Sequence, residues 1–491
     1  MNNKMIKTIF ADGKSEIEAL EALAGRGAAE GAPGSGSGAP GAEVEQAVRQ
    51  IIDDVRREGD AAVVRYTLRF DGPDAAPGGK IGSLSRKDLK RAFEALDKPL
   101  ADALLHAAEN IREYHKKQLD ALKGYESRGA SRPDALVSGS SCDDDCVVIG
   151  QVVRGLERVG VYVPGGTAAY PSTVLMNVIP AKLAGVEEIV MVTPPRTGGA
   201  GEADFATDAV FATDAAILGA AYIAGADRVI LAGGGQAVAA LAYGTETFPR
   251  VDKIVGPGNI YVATAKRLLY GVVDIDMIAG PSEILIIADG APEGAPGALG
   301  APASPGAPIA AFAAADMLSQ AEHDPDSAAI LLTTDPKLAA AAAAQLAAQL
   351  KNLKRAETAA KAIENNSLII VCRSEDEMVR LANETAPEHL EILTADPFAL
   401  LTRIKNAGSV FLGPWTPEPV GDYYAGTNHV LPTNGTARFA SPLGVYDFVK
   451  RMSYTHYTKE ALREAKKDIL EISGSEGLTA HANAVIIRFE E

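Results

Sequence analysis

The side chains in this chain able to do chemistry fall in a few short polar stretches. The first is Ser319-Gln320-Ala321-Glu322-His323, which closes an Ala-rich apolar run from Ile309 to Leu318 that reads as a helix. Asp324-Pro325 then stops it, because proline disfavours the α conformation of the residue before it. Gln320 and His323 are three apart, so they share a helix face and reach toward one point. A neutral imidazole and a carboxamide oxygen aimed together suit a metal or a polar ligand. Alone, such a pair is more often an ordinary surface pair. Its company raises the metal or ligand reading: Glu388-His389, Asp422, His429 and Glu476…His481. Glu388-His389 follows Pro387 and precedes an apolar strand. A histidine beside a carboxylate moves protons near neutral pH, and a loop ion pair is the plain alternative. Asp422 and His429 lie in the Gly- and polar-rich run Gly421–His429, and Glu476 and His481 come near the end. Four of the seven histidines sit in these segments, more than scattered surface histidines would supply.

The elements that must position these groups alternate in type. From Val147 onward, apolar runs at Arg158–Pro164, Glu188–Pro194, Arg228–Ala232, Lys253–Val255 and Ile284–Ala288 are separated by helical stretches. A second alternation runs from a strand at Ala329–Thr333 through a helix over 336–365 to strands at Leu368–Cys372, Leu390–Leu393 and Ser409–Leu412. Continuous apolar strands between helices mean βαβ units and parallel sheets buried on both faces. The fold class expected is therefore α/β: two tandem incomplete Rossmann-like doubly wound domains with small helical N- and C-terminal pieces. The divisions expected are a helical region over 1–146 with a Gly/Ala/Pro linker at 25–41, and a first α/β domain over 147–290. An inserted linker at 291–308, a second α/β domain over 309–415, and a loop and dimerisation tail over 416–491 follow. Leu89–Leu122 reads as one long amphipathic pattern, its His106 and His115 as solvated or half-buried helix residues, and Val485–Phe489 as strand-like.

Composition narrows the function classes. At 491 residues the chain exceeds one ordinary core. Lys+Arg 47 against Asp+Glu 64 gives a net charge of −17, a poor match to nucleic acid or an anionic membrane, whose phosphates need Lys and Arg. No run approaches the roughly 18 apolar residues of a bilayer span. The N-terminus lacks an apolar core of signal-peptide length. Cys142, Cys146 and Cys372 make no disulfide framework, and the first two flank three aspartates that disfavour a thiolate. A cytoplasmic enzyme is the expectation, with no nucleic acid and no membrane as partner.

Gly-rich turns follow apolar strands at Pro164-Gly165-Gly166, Gly233-Gly234-Gly235 and Gly256-Pro257-Gly258-Asn259. Each would bring backbone N–H groups to an anion at a sheet's carboxyl edge, though none is a G-x-G-x-x-G with its following acid, and plain turn glycines fit equally well.

Together the segments resemble histidinol dehydrogenases. The motifs that carry the resemblance are Val159–Gly166, Ala279-Gly280-Pro281-Ser282-Glu283, Ser319–His323, Ala386-Pro387-Glu388-His389-Leu390 and Gly426–Pro432. They run in order to the C-terminus, with a looser match over 43–125.

The resemblance implies oxidation of L-histidinol to L-histidine through the aldehyde with two NAD, the last step of histidine biosynthesis. It implies one Zn2+ per subunit on Gln320, His323, Asp422 and His481, and NAD contacts from Tyr162, Gln236 and Asn259. Substrate would meet Ser282, Gln320, His323, His389, Asp422, Glu476 and His481. His389 would be the general base and Glu388 would activate water. Glu476 and His481 would reach into the partner's site of a homodimer. The Gly/Ala/Pro tracts, the repeat of Phe205-Ala-Thr-Asp208 as Phe211-Ala-Thr-Asp214, and Thr433–Thr436 depart from the family pattern without touching a motif residue. Two other readings compete. A two-lobed binding protein has no use for a Glu-His pair beside metal ligands. A zinc hydrolase leaves Tyr162, Gln236 and Asn259 idle.

Overall fold

The computed structural model describes residues 6–24, 40–129, 147–165, 170–195, 214–289 and 307–490. Most of both Gly/Ala/Pro tracts, Cys142, Cys146 and the Phe-Ala-Thr-Asp repeat up to Thr213 lie outside them. Among the described residues the strands are β1 (Lys7–Phe10), β2 (Gly82–Ser85), β3 (Tyr125–Gly129), β4 (Val147–Gly155), β5 (Arg158–Tyr162), β6 (Glu188–Thr193), β7 (Arg228–Leu231) and β8 (Lys253–Val255). They continue as β9 (Asp274–Ile275), β10 (Glu283–Ala288), β11 (Ala328–Thr333), β12 (Leu368–Val371), β13 (His389–Leu393), β14 (Ser409–Leu412) and β15 (Val449–Tyr457).

Two six-stranded sheets carry the fold. One has the order β2-β7-β6-β5-β8-β9 and the other β1-β12-β11-β10-β13-β14. Every pair is parallel except β2 on β7. The two sheets thus repeat one winding, and each reverses direction at a central strand, between β5 and β8 and between β10 and β13. Such a reversal leaves a crevice where helices diverge to opposite faces.

The strands form where they do because both faces are covered. β10 (Glu-Ile-Leu-Ile-Ile-Ala) and β11 are buried at every position. Ile284 and Ile286 point into one core while Leu285 and Ile287 point into the other, the alternation a strand imposes. Asp335, Ser374, Asp214 and Asn259 each accept a backbone N–H at the start of the helix that follows, fixing where it begins.

Several elements depart from the sequence reading. The pattern over Leu89–Leu122 is two helices, Arg86–Glu94 and Lys98–Ala121, with Asp97 at the junction and Pro99 in the second helix's first turn. Proline is tolerated there because that turn has no N–H bond to lose. The helix over 336–365 likewise splits into Pro336–Gln349 and Ala356–Asn366. Val485–Phe489 is helical, in Thr479–Ile486 and a 3-10 turn. Among the described residues no strand edge pairs with it, and a helix satisfies its own N–H and C=O groups. A third sheet, β15-β4-β3, was not anticipated. Its β15 is mostly exposed, so no apolar alternation marks it. β1 pairs in parallel with β12 and so closes the second sheet from the far end of the chain.

The loop after the short helix Glu418–Tyr423 joins the two halves. Gly426 (φ 92°) sits so close to the helix Lys98–Ala121 that a Cβ would lie 2.3 Å from the Asn110 carbonyl. Asn428 Nδ2 donates to the Met176 carbonyl at 2.8 Å, and the Gly280 N–H donates to Thr433 Oγ1 at 2.8 Å.

Candidate active site

β10 and β13 place the first groups. Ile284 is in register with His389, so the amino ends of the two strands lie side by side at the sheet's reversal. Glu388 and His389 are both buried there. The Glu283 N–H donates to Glu388 Oε2 at 3.0 Å, and Ser282 hydrogen-bonds the same carboxyl. His389 Nδ1 lies 3.2 Å from the Glu283 carbonyl. A carbonyl only accepts, so Nδ1 carries the proton and Nε2 keeps a lone pair. Burial drives the His389 imidazole down to about 3, which leaves it neutral across the physiological range. Burial also lifts Glu388 well above the usual carboxylate range.

The helix Ala307–Ala321 and the helix Glu418–Tyr423 bring the second set. Gln320 is fully buried, and neither its amide oxygen nor its amide nitrogen has a hydrogen-bond partner among the described residues. The helix ends at Ala321 and His323 sits in the turn beyond it, its N–H on the Gln320 carbonyl at 3.2 Å. From there His323 lowers the affinity of His389 and His429 for a proton, so the three imidazoles are neighbours. Ligand atoms of His389, Glu418 and Asp422 all lie within 4.8 Å of one another. The Glu418 and Asp422 carboxyls face each other, and burial raises both. His429 Nδ1 stands 3.7 Å from Asp422 Oδ1 and has no hydrogen-bond partner among the described residues.

Carboxyls packed this way call for a positive charge between them. Together with an unsatisfied amide and neutral imidazoles, they form an oxygen/nitrogen donor set that fits a divalent metal such as zinc.

A buried second row supports this set. Glu391 shares a face of β13 with His389, lies against Asp316 of the helix Ala307–Ala321, and accepts the Glu418 N–H at 2.8 Å. Sequence reasoning passed over Glu391, Glu418 and Asp316. A carboxylate inside the apolar strand His389-Leu-Glu-Ile-Leu, and a glutamate four residues before Asp422, were the available signals. His115 also differs from its reading. It is fully buried, with Nδ1 on the Ile111 carbonyl at 2.8 Å and Nε2 3.3 Å from Asn428 Nδ2. It anchors the loop next to His429, because the helix that carries it is covered by that loop.

Tyr162, Gln236 and Asn259 gather elsewhere, at the carboxyl edge of the first sheet. The Tyr162 hydroxyl accepts the Gly234 N–H at 3.1 Å, which leads directly to Gln236. Gln236 is buried with its side-chain oxygen unpartnered among the described residues. Asn259 is exposed and caps the helix Ile260–Leu269. Beneath it, Asp276 accepts the Gly256 N–H at 2.7 Å while Lys266 Nζ donates to the Gly256 carbonyl at 2.9 Å and pairs with Asp276. Both backbone groups of Gly256 (φ 107°) are therefore tied down, and a Cβ there would meet the Tyr162 carbonyl at 2.1 Å. An orphaned buried amide at a held, glycine-rich edge suits a dinucleotide. Glu476 and His481 are exposed on the C-terminal helices, outside the cluster formed within the chain.

Comparison with known proteins finds the following similarities. A family model described as Histidinol dehydrogenase covers residues 37–489. A histidinol dehydrogenase of Bacillus thuringiensis subsp. konkukian is 48% identical over 448 residues, 91% of this chain and 93% of that one. One from Lactococcus lactis subsp. lactis is 44% identical over 449 residues, 91% of this chain and 94% of that one. The crystal structure of histidinol dehydrogenase from Elizabethkingia anophelis superposes with a TM-score of 0.80 at 34% identity, covering 99% of this chain and 98% of that one.

Proposed function

The chain belongs to the histidinol dehydrogenase family, and from that premise we propose that it oxidises L-histidinol to L-histidine in two NAD-dependent steps within one zinc site. The observation that carries this reading is the pairing of a buried, neutral His389 with a buried Glu388 beside an oxygen/nitrogen donor cluster.

Gln320, His323, Asp422 and the partner subunit's His481 would hold the zinc, and Tyr162, Gln236 and Asn259 the NAD. When bound, zinc fixes the amino alcohol and its imidazole in place, and NAD takes the hydride in each oxidation. His389 Nε2, its other nitrogen held by the Glu283 carbonyl, takes the hydroxyl proton as carbon gives up hydride, leaving the aldehyde. Glu388 then removes a proton from water so that the oxygen adds to the aldehyde carbon, while His389 returns its proton to the aldehyde oxygen and is neutral again. His389 accepts the proton of the resulting diol in the second oxidation, which ends at the carboxylate. Ser282 orients Glu388, and burial of the pair keeps bulk water from the aldehyde between the steps. A homodimer supplies Glu476 and His481 from one chain to the other's site.

NADH absorbance on mixing the purified protein with L-histidinol, NAD and zinc, against a chelated control, tests the reading. Two NADH per histidinol, lost on chelation, support it; no NADH with zinc bound removes it.

A further inference from the structure

We propose that Glu418 is a positioning residue of the metal site, its carboxylate locking the helix that carries Gln320 to the helix that carries Asp422. The inference rests on the zinc reading above. Glu418 opens its short helix four residues before Asp422, so the two side chains share a face. Its Oε2 accepts the hydroxyl of Ser319, the residue before Gln320, at 3.0 Å. Its N–H is held by Glu391 Oε1 at 2.8 Å, and Glu391 lies two residues along β13 from His389. One glutamate therefore links the helix of Gln320, its own helix with Asp422, and the strand that carries His389.

Glu418 is only 1% exposed. A carboxyl so buried is either neutral or matched by a cation. Among the described residues no lysine or arginine pairs with it; its carboxyl meets the Ser319 hydroxyl and the Asp422 carboxyl. A cation held by Asp422 and by Gln320, whose amide atoms have no partner among the described residues, would supply the compensating charge. Glu418 does not replace a ligand. It sets the separation and tilt of Asp422 relative to Gln320, in the way that outer carboxylates orient the groups bound to a metal.

Two substitutions separate this role from plain packing. Zinc affinity is measured on the metal-free full chain by competition with a chromophoric chelator, and thermal unfolding with and without zinc. Glu418→Ala is expected to weaken zinc binding roughly 10- to 100-fold, the effect typical of outer-shell partners. Glu418→Gln keeps the Ser319 contact but drops the charge. It should also bind zinc more weakly, while its metal-free melting temperature stays close to that of the parent chain, because the contact with Ser319 is kept. A merely structural glutamate would give the opposite pattern: lower metal-free melting temperatures in both variants with zinc affinity unchanged, which overturns the inference. A parent chain that binds no zinc overturns the metal reading and this inference together. A parent chain that binds zinc, with Glu418→Gln equal to it, overturns this inference alone.

Discussion

His389 illustrates how a residue's neighbours decide its chemistry. Its Nδ1 faces the Glu283 carbonyl and burial keeps the ring neutral, so Nε2 is a base without any loss to protonation at neutral pH. His389→Asn should lower turnover by about 10²- to 10⁴-fold with zinc affinity retained, as read by initial NADH rates and chelator competition. Near-normal NADH production would remove the base assignment. Glu388 differs in the direction of its shift. It must be ionised to activate water, and its affinity for a proton is raised by burial, so acidification disables it at a higher pH than an ordinary carboxylate. His389 is shifted the other way and stays neutral as pH falls through the ordinary histidine value near 6.5. Aldehyde oxidation should therefore fail before alcohol oxidation on going down from neutral pH, and Glu388→Gln should slow the aldehyde step more than the alcohol step. Separate rate profiles with histidinol and with the aldehyde decide this, and a reversed order would exclude the water-activating role. At this scale the sequence was readable where polar residues cluster in short motifs. Glu388, His389, Gln320 and Asp422 stood out, whereas Glu418 and Glu391 carry weight only once the fold buries them beside that cluster.

Among the elements, the turn Gly256-Pro257-Gly258-Asn259 is held from below by a buried ion pair. Removing one partner of such a pair costs roughly 3–5 kcal/mol, because the other charge stays buried. Lys266→Met should lower the melting temperature and raise KM for NAD while KM for histidinol holds. Equal movement of both constants would detach the pair from the NAD side. The central strands of both large sheets were legible because burial on both faces writes them as unbroken apolar runs, whereas the partly exposed β2 and β9 were not. β15 was not, since an exposed strand satisfied by pairing with β4 needs no apolar pattern at all. Nor was the pairing of β1 with β12, a contact between distant segments that leaves no local trace.

At the scale of the whole molecule, the two sheets repeat one winding yet are used differently. The first offers the carboxyl edge of its strands and the second the amino edge, with the loop Gly421–Pro432 joining them. No helix among the described residues is long and apolar enough to cross a membrane. The exposed Glu476 and His481 lead to a prediction about assembly. Chains carrying His389→Asn mixed with chains carrying His481→Asn should regain up to about a quarter of parental activity, as expected if exchange is random and sites are shared. No recovery, with exchange of subunits verified, would place both residues in one chain's own site. The strand β1 adds a constraint of time. Lys7 pairs with Leu368, so β1 leaves the ribosome well before the strand it joins is made. At the usual 5–20 residues per second, that wait is roughly 20 to 70 s. A stall in translation within that interval leaves β1 free to pair with whatever edge it meets.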